Sequence, residues 1–354
     1  MSDLISHQAR TVAVIGAGPV GLAAAAHLLD RGLTPIVLEA GDGPAAAIRQ
    51  WGHVRLFSPW RFDIDRTAAR LLESHGWTAP DPEGLPTGHE LIDAYLAPLA
   101  ETPELAPHLR YSTRVVALAR LGADKTRTIG REGRPYLVRT RSSAGERADL
   151  AVDAVIDASG TWGRSNPMGA HGLAATGEDH TAAWAAGPLP DVLGEARNRF
   201  AGKRTLVVGM GHSAANTLLD LARLAEEEPD TGITWAIRGG SPARLYGGGA
   251  ADALPARGTI GTRVRELVES GAIDLVAGFT IDRFEAREDG SVTVVGDVGG
   301  TERVIEADQV AAATGFRPDL EMLREIRLDL DSVVEAPARL APLIDPNFHS
   351  CGTV

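Results

Sequence analysis

The sequence is poor in cysteine: its 354 residues contain one, Cys351. Within the chain this excludes a disulfide framework, a Cys-x-x-Cys redox pair and a cysteine-built zinc site. Excess positive charge is also missing. The formal net charge is −12 with no basic stripe, which argues against nucleic acid or an anionic membrane as a partner. Low-complexity tracts and short repeats are absent, so neither a solenoid nor a disordered chain is expected. The ten histidines are scattered, without metal-ligand spacing, and no nucleophile elbow is present, so no metal site is expected. Long hydrophobic runs are lacking too, with one apparent exception. Val12 to Leu29 is nearly uncharged and of roughly membrane-spanning length, but it holds three glycines and a proline where a spanning or signal segment would be rich in leucine. A strand, a turn and a helix account for it better, so no membrane segment and, by default, a cytoplasmic location are expected.

What is present is the material for two globular units. The length gives a prior of about two domains, and 44% hydrophobic with 23% charged residues is ordinary for a folded protein. Thr11 to Ile15 reads as a buried strand, Val20 to Leu29 as a small-residue helix and Thr34 to Leu38 as a second strand, a βαβ unit. Residues 41 to 109 break that regularity. Trp51, Phe57, Trp60, Phe62 and Trp77 lie among prolines and glycines ahead of a helical run from Gly88 to Leu99, which suggests an insertion lining a cleft. Arg110 to Leu118 and Tyr136 to Thr140 look like a meander, and Ala151 to Ile156 like a return strand leading into Asp157-Ala158-Ser159-Gly160. Residues 161 to 200 resemble a connector.

The pattern then restarts: Arg204 to Val208 is a strand, His212 to Ala225 a helix and Ile233 to Ile237 a strand. A helix near Thr262 to Ser270, three short strands (Phe279 to Phe284, Val292 to Val295, Arg303 to Ile305) and a buried strand Gln309 to Ala313 follow, ending in Thr314-Gly315. The expected fold class is α/β, with two Rossmann-like dinucleotide-binding domains of three-layer ββα type. The expected boundaries are 1–165, 166–305 and a return to the first domain over 306–354.

Each βαβ unit carries a glycine loop between its first strand and its helix. In Gly16-Ala17-Gly18-Pro19-Val20-Gly21, Gly16 allows the tight turn, Gly18 lets backbone approach a pyrophosphate and Gly21 lets the helix pack on the strand. The helix N-terminus then offers free amide hydrogens and its positive dipole end to the phosphates. Glu39, at the end of the second strand, is placed for the adenosine ribose hydroxyls. The second loop, Gly209-Met210-Gly211-His212-Ser213-Ala214, has alanine for the third glycine, and Ser213 adds a hydroxyl. Its second strand ends in Arg238, which pairs with a 2′-phosphate that an acid would repel, so NADPH is favoured over NADH. A solvated arginine is the alternative. Two such sites in one chain suggest a resident FAD beside a transient nicotinamide that delivers hydride.

The order and spacing of the two loops, with Asp157-Ala158-Ser159-Gly160 and Ala313-Thr314-Gly315, resemble the two-dinucleotide-domain flavoproteins, especially the class B flavin-containing monooxygenases. The resemblance covers nearly the whole chain. It implies FAD at the first loop and Glu39, NADPH at the second loop, crossovers at the segments ending in Gly160 and Gly315, and a discontinuous FAD domain. It also implies Arg49 at the FAD pyrophosphate, Trp51 as a wall of the flavin ring, and Asp63 or Asp65 as a charge near the flavin. The activity implied is reduction of FAD by NADPH, then reaction with dioxygen and a small nucleophilic or carbonyl substrate. The disulfide reductases of the same architecture need a cysteine pair that this sequence lacks. An NAD(P)H oxidase or reductase without oxygen insertion is the alternative activity. The oligomeric state is not legible.

Two departures from the family pattern stand out. The monooxygenase linker fingerprint has its nearest match at Gly177-Glu178-Asp179-His180 with Trp184, without the leading phenylalanine and one residue short, which makes His180 a candidate site residue. The closing strand and helix that usually face the flavin are also not found after Arg317-Pro318, a portion on the order of 40 residues. The expectation is a shortened chain or a variant with a weakened flavin site, down to a nucleotide-binding protein without catalysis.

Overall fold

Thr11–Ile15 (β1) is apolar after its first residue and buried along its length, which suits an inner strand of a parallel sheet covered on both faces. The computed structural model describes residues 10–179, 183–247, 249, 252 and 254–344. The chain forms two compact units, residues 1–163 with 318–354, and residues 164–317.

In the first unit β1 is followed by Thr34–Leu38 (β2), Leu109–Arg110 (β3), Thr113–Arg120 (β4), Tyr136–Ser142 (β5), Arg147–Val152 (β6) and Ala154–Asp157 (β7). Four of these make a parallel sheet in the order β3-β2-β1-β7, and β4-β5-β6 make an antiparallel meander. Side-chain alternation assigns the faces. Val12, Val14 and Val37 pack with Leu22, Ala25 and Leu28 of the helix Pro19–Asp30. Ala13, Ile15 and Leu38 pack instead with Val115, Leu118, Val138 and Val152 of the meander. Helix, parallel sheet and meander are three layers, as expected.

Two expectations are corrected here. The run Ala151 to Ile156 is not one return strand. It breaks at Asp153, whose carboxylate accepts the Thr11 N–H at 2.8 Å, and the chain passes there from meander to parallel sheet. The insertion 41–109 also does not send all its aromatics to a cleft. Trp60 and Tyr95 join the core that includes the helix Pro19–Asp30, because the helix Arg66–Glu73 packs on that helix and the helical run 88–100 packs in turn on Arg66–Glu73. The run 88–100 starts at a capping box in which Thr87 and Glu90 exchange hydrogen bonds, and contains a π segment, Ile92–Leu96.

The second unit repeats the plan. Its strands are Ala185–Ala186 (β8), Arg204–Val208 (β9), Gly232–Ile237 (β10), Asp274–Ala277 (β11), Phe279–Ala286 (β12), Val292–Val298 (β13), Thr301–Ala307 (β14) and Gln309–Ala312 (β15). The parallel order is β11-β10-β9-β15-β8, and β12-β13-β14 form the meander. Val207, Trp235 and Ala311 face Ala214, Leu218 and Leu221 of the helix His212–Glu227. Leu206, Val208, Ala236 and Val310 face Ile281, Phe284, Val292 and Val294 of the meander. The second helix, Pro255–Glu269, starts two turns before the expected Thr262. The boundary expected at 306 is also moved. β15 pairs with β9 over Gln309↔Thr205 to Ala312↔Val208, so residues 306–317 stay with the second unit and the return begins at Pro318. From there Met322, Leu323 and Ile326 pack on the first unit's core, and Arg131 and Lys125 of the β4–β5 connection bond to Glu325. Among the described residues no helix is long and apolar enough to cross a membrane.

Candidate functional site

The two glycine loops occupy the same place in their units. Gly16 has φ +98° and Gly209 φ +128°, a region that side chains rarely adopt. A Cβ on Gly16 would lie 2.6 Å from the Ala158 carbonyl oxygen, and one on Gly209 would lie 2.0 Å from that of Ala313. The loop amides Gly16 and Gly209 donate to the carbonyls of Leu38 and Ala236 at the ends of the neighbouring strands. Gly18 and Gly211 are the N-caps of the two helices; neither cap has a side-chain hydrogen bond and neither first turn has an acid. Nothing lies within 4 Å of a Cβ built on Gly18 or on Gly211, so open space faces both helix ends. Uncapped amides, a positive dipole end and room without a side chain are the features a diphosphate requires.

Strand-end chemistry separates the two loops. Glu39 accepts the Ala17 N–H on one carboxylate oxygen and the Gly41 N–H on the other, both at 2.7 Å. Each oxygen keeps acceptor capacity for a hydroxyl. Ala45, at φ +54°, donates its N–H to the Ala17 carbonyl, which seats the short helix Ala46–Arg49 against the loop with Arg49 exposed. In the second unit a cleft of about 260 Å³ is lined by Gly209, Met210, Arg238, Thr314 and Arg317, with Phe279 and Ile281 as its apolar floor and no carboxylate in its lining. Arg238 is exposed and makes one long contact, 3.4 Å, to the Ala170 carbonyl. Thr314 and Gly315 close the cleft by bonds to Asn166, whose side-chain amide donates to the Thr314 carbonyl at 3.1 Å and whose N–H donates to that of Gly315 at 2.9 Å. His212 and Ser213 form the first turn of the second helix and Ala214 is fully buried.

The other expected site residues divide. Trp51 is half-buried, 6.4 Å from the Trp162 ring in a tilted pair, and Gln50 accepts the Trp162 indole N–H. Asp63 has one oxygen accepting from Ser58 at 2.7 Å and the other buried with no partner among the described residues; burial pushes its pKa up. Asp65 has a structural role in the fold. One oxygen caps the helix Arg66–Glu73 through the Thr67 and Ala68 amides and the other meets His27 at 3.1 Å. Burial opposes ionisation there, but the Ala68 amide and His27 outweigh it and hold the pKa low. His180 lies outside the described residues. Near it, Glu178 accepts the Met168 and Ala175 amides and Trp184 stacks on Phe284 at 4.9 Å, so the rest of that linker match is packing. Sequence reading missed Asn166 and Arg317 in the cleft and Trp235 behind the second loop, because each touches the site only through tertiary pairing.

The family model for pyridine nucleotide-disulphide oxidoreductases matches residues 13–339. The flavin-containing monooxygenase FMO GS-OX-like 2 from Arabidopsis thaliana is 28% identical over 239 residues, 62% of this chain and 48% of that protein. Indole-3-pyruvate monooxygenase YUCCA1 from Oryza sativa subsp. japonica is 31% identical over 216 residues, 59% of this chain and 44% of that one. The matched regions thus span about half the length of these curated relatives. Among solved structures, the bacillithiol disulfide reductase of Bacillus cereus shares the fold with a TM-score of 0.70 at 21% identity, covering 93% of this chain and 85% of that one. With two glycine-loop units of the same plan and a family match along most of its length, the chain belongs to the pyridine nucleotide-disulphide oxidoreductase family, and within it resembles the class B flavin-containing monooxygenases.

Proposed function

We propose that the protein is an FAD-dependent NADPH oxidoreductase that acts as a monooxygenase on a small nucleophilic or carbonyl substrate. The observation that carries this reading is the pair of uncapped glycine-loop helices in one chain, one beside a strand-end carboxylate and the other beside a strand-end arginine. Residues 16–21 and Glu39 hold the FAD pyrophosphate and adenosine ribose, with Arg49 as an added cation. Residues 209–214 hold the diphosphate of NADPH and Arg238 its 2′-phosphate. FAD, when bound, supplies the two-electron chemistry that accepts hydride and reduces dioxygen.

The remaining roles belong to side chains. Trp51 shields a flavin face from water. Asp63, with its pKa raised and one oxygen unpaired, stays protonated more readily than an exposed carboxyl and offers a proton or accepts a donor from a ligand. Disulfide reduction is disfavoured because the sequence supplies one cysteine where a relay needs two. Support for oxygenation comes from the monooxygenase relatives.

The test is an absorption spectrum of the protein with FAD, then NADPH oxidation under oxygen with candidate substrates and product analysis. Bound flavin and an oxygenated product are expected. A colourless protein at saturating FAD overturns the flavoenzyme reading. Peroxide as the sole product, whatever substrate is offered, replaces it with an NAD(P)H oxidase.

A further inference from the structure

Two of the differences between the units are linked, Ala214 in place of Gly21 and Trp235 in place of Val37. A Cβ on Gly21 would stand 2.0 Å from the Gly16 carbonyl oxygen, so that oxygen lies where only a glycine leaves room. The second loop has Ala214 in the place of Gly21. Its Gly209 carbonyl therefore cannot point the same way, and φ changes from +98° to +128°. The redirected oxygen accepts the Trp235 indole N–H at 2.7 Å. Trp235 pairs with Val207 in β9, and the residue at the matching register of the first unit, facing Val14, is Val37, which has no proton to give.

We infer that Trp235 is the positioning residue of the second dinucleotide site, its indole holding the Gly209–Met210 peptide in the orientation that Ala214 imposes. The inference rests on reading that loop as the nicotinamide-dinucleotide site. Gly209 C=O and Met210 N–H belong to one rigid peptide plane, so fixing the oxygen aims the amide of Met210, a residue that lines the cleft. Trp235 itself is fully buried and does not touch the ligand space. Loss of its N–H leaves a carbonyl that turns toward water and carries the Met210 amide with it.

Trp235→Phe keeps an aromatic side chain of smaller size and removes the donor. In FAD-loaded full-length protein, calorimetric titration with NADP⁺ should show affinity about tenfold weaker, the range for one lost buried hydrogen bond, with FAD content unchanged. Adding Ala214→Gly to Trp235→Phe should recover most of the loss, because the carbonyl regains the orientation seen at Gly16. Unchanged NADP⁺ affinity in Trp235→Phe, or a double variant weaker than the single one, overturns the inference. A readout without nucleotide separates it from the function itself: the amide resonance of Met210 should move in Trp235→Phe, because the Gly209–Met210 peptide turns once its carbonyl loses the indole. A moved resonance in a protein that binds no NADP⁺ keeps the latch and removes the site reading. Should Trp235→Phe fail to fold, Ala214→Gly alone decides, since it should speed exchange of the Trp235 indole proton, and an unchanged rate refutes the coupling.

Discussion

Replacing Arg238 by Glu is the sharpest probe of which nucleotide the second unit takes. The cleft at the end of β10 has no carboxylate in its lining, and Arg238 is exposed at its rim. Two unit charges about 4 Å apart interact by ~1 kcal/mol at the dielectric of water, the appropriate limit for an exposed side chain. A 2′-phosphate carries close to two negative charges at neutral pH, which brings the attraction to about 2 kcal/mol. Reversing the side-chain charge changes the sign as well, for a gross difference of about 4 kcal/mol before salt and side-chain relaxation reduce it. The net expectation is 2–3 kcal/mol by this estimate, or roughly a hundredfold at 1.36 kcal/mol per tenfold. NADH has no such phosphate and should be affected by about threefold or less. The assay is kcat/KM for NADPH and for NADH with the wild type and Arg238→Glu at two ionic strengths, and the NADPH penalty should shrink in high salt. Equal losses for both nucleotides, or a penalty insensitive to salt, would refute the assignment of Arg238 to a 2′-phosphate.

Other residues give independent checks. Gly21→Ala forces a Cβ to within 2.0 Å of the Gly16 carbonyl oxygen, so FAD content measured by absorbance should drop at least tenfold while NADP⁺ binding persists. Asp65→Ala removes the cap of the helix Arg66–Glu73 and the contact to His27, and should cost about 1–2 kcal/mol in urea unfolding at neutral pH. Because the folded pKa of Asp65 is depressed, its stabilisation is present above the unfolded-state value and lost as pH falls, so wild type and variant should converge in acid. Asp220 behaves oppositely. Burial, reinforced by Asp191, pushes its pKa up to about 6, so the native state loses stability as pH rises from the unfolded-state value of about 4 to about 6, and the loss is complete above that. Asp220→Asn should therefore be more stable than wild type at pH above 6, by about 3 kcal/mol on the scale of 1.36 per unit, and equal to it below about pH 3. A constant difference across that range would count against the shifted titration.

Much of this site is legible in the sequence because the phosphate-binding loop leaves few choices. A turn with positive φ, an approach closed to side chains and an uncapped helix start each demand a residue type at a fixed spacing, and Gly16, Gly18 and Gly21 supply all three. Strand-end Glu39 and Arg238 are readable for the same reason: the preceding buried strands fix where they emerge. Asp63 and Asp65 show what is lost without coordinates. Both look like charges near a cofactor, yet Asp65 stands directly before the amphipathic stretch Arg66–Glu73 and is its cap, a local signal that could have been used. Trp60 reads as a cleft aromatic and is core, since nothing in its neighbours reports which helix covers it. The short strands β8 and β11 have too few residues to show periodicity, and Asp153 divides a run whose hydrophobicity hardly changes.

That division has a mechanical meaning. One residue separates β6 from β7, so the corner between meander and parallel sheet has no slack. β7 runs directly into Ala158, whose carbonyl leaves no room for a side chain at Gly16, and β6 is stapled through β5 to β4. The outer layer thus behaves as a splint for the first glycine loop. A change of chain length at Asp153 is therefore carried to the first glycine loop, whereas the exposed turn 143–146 between β5 and β6 lies outside this corner.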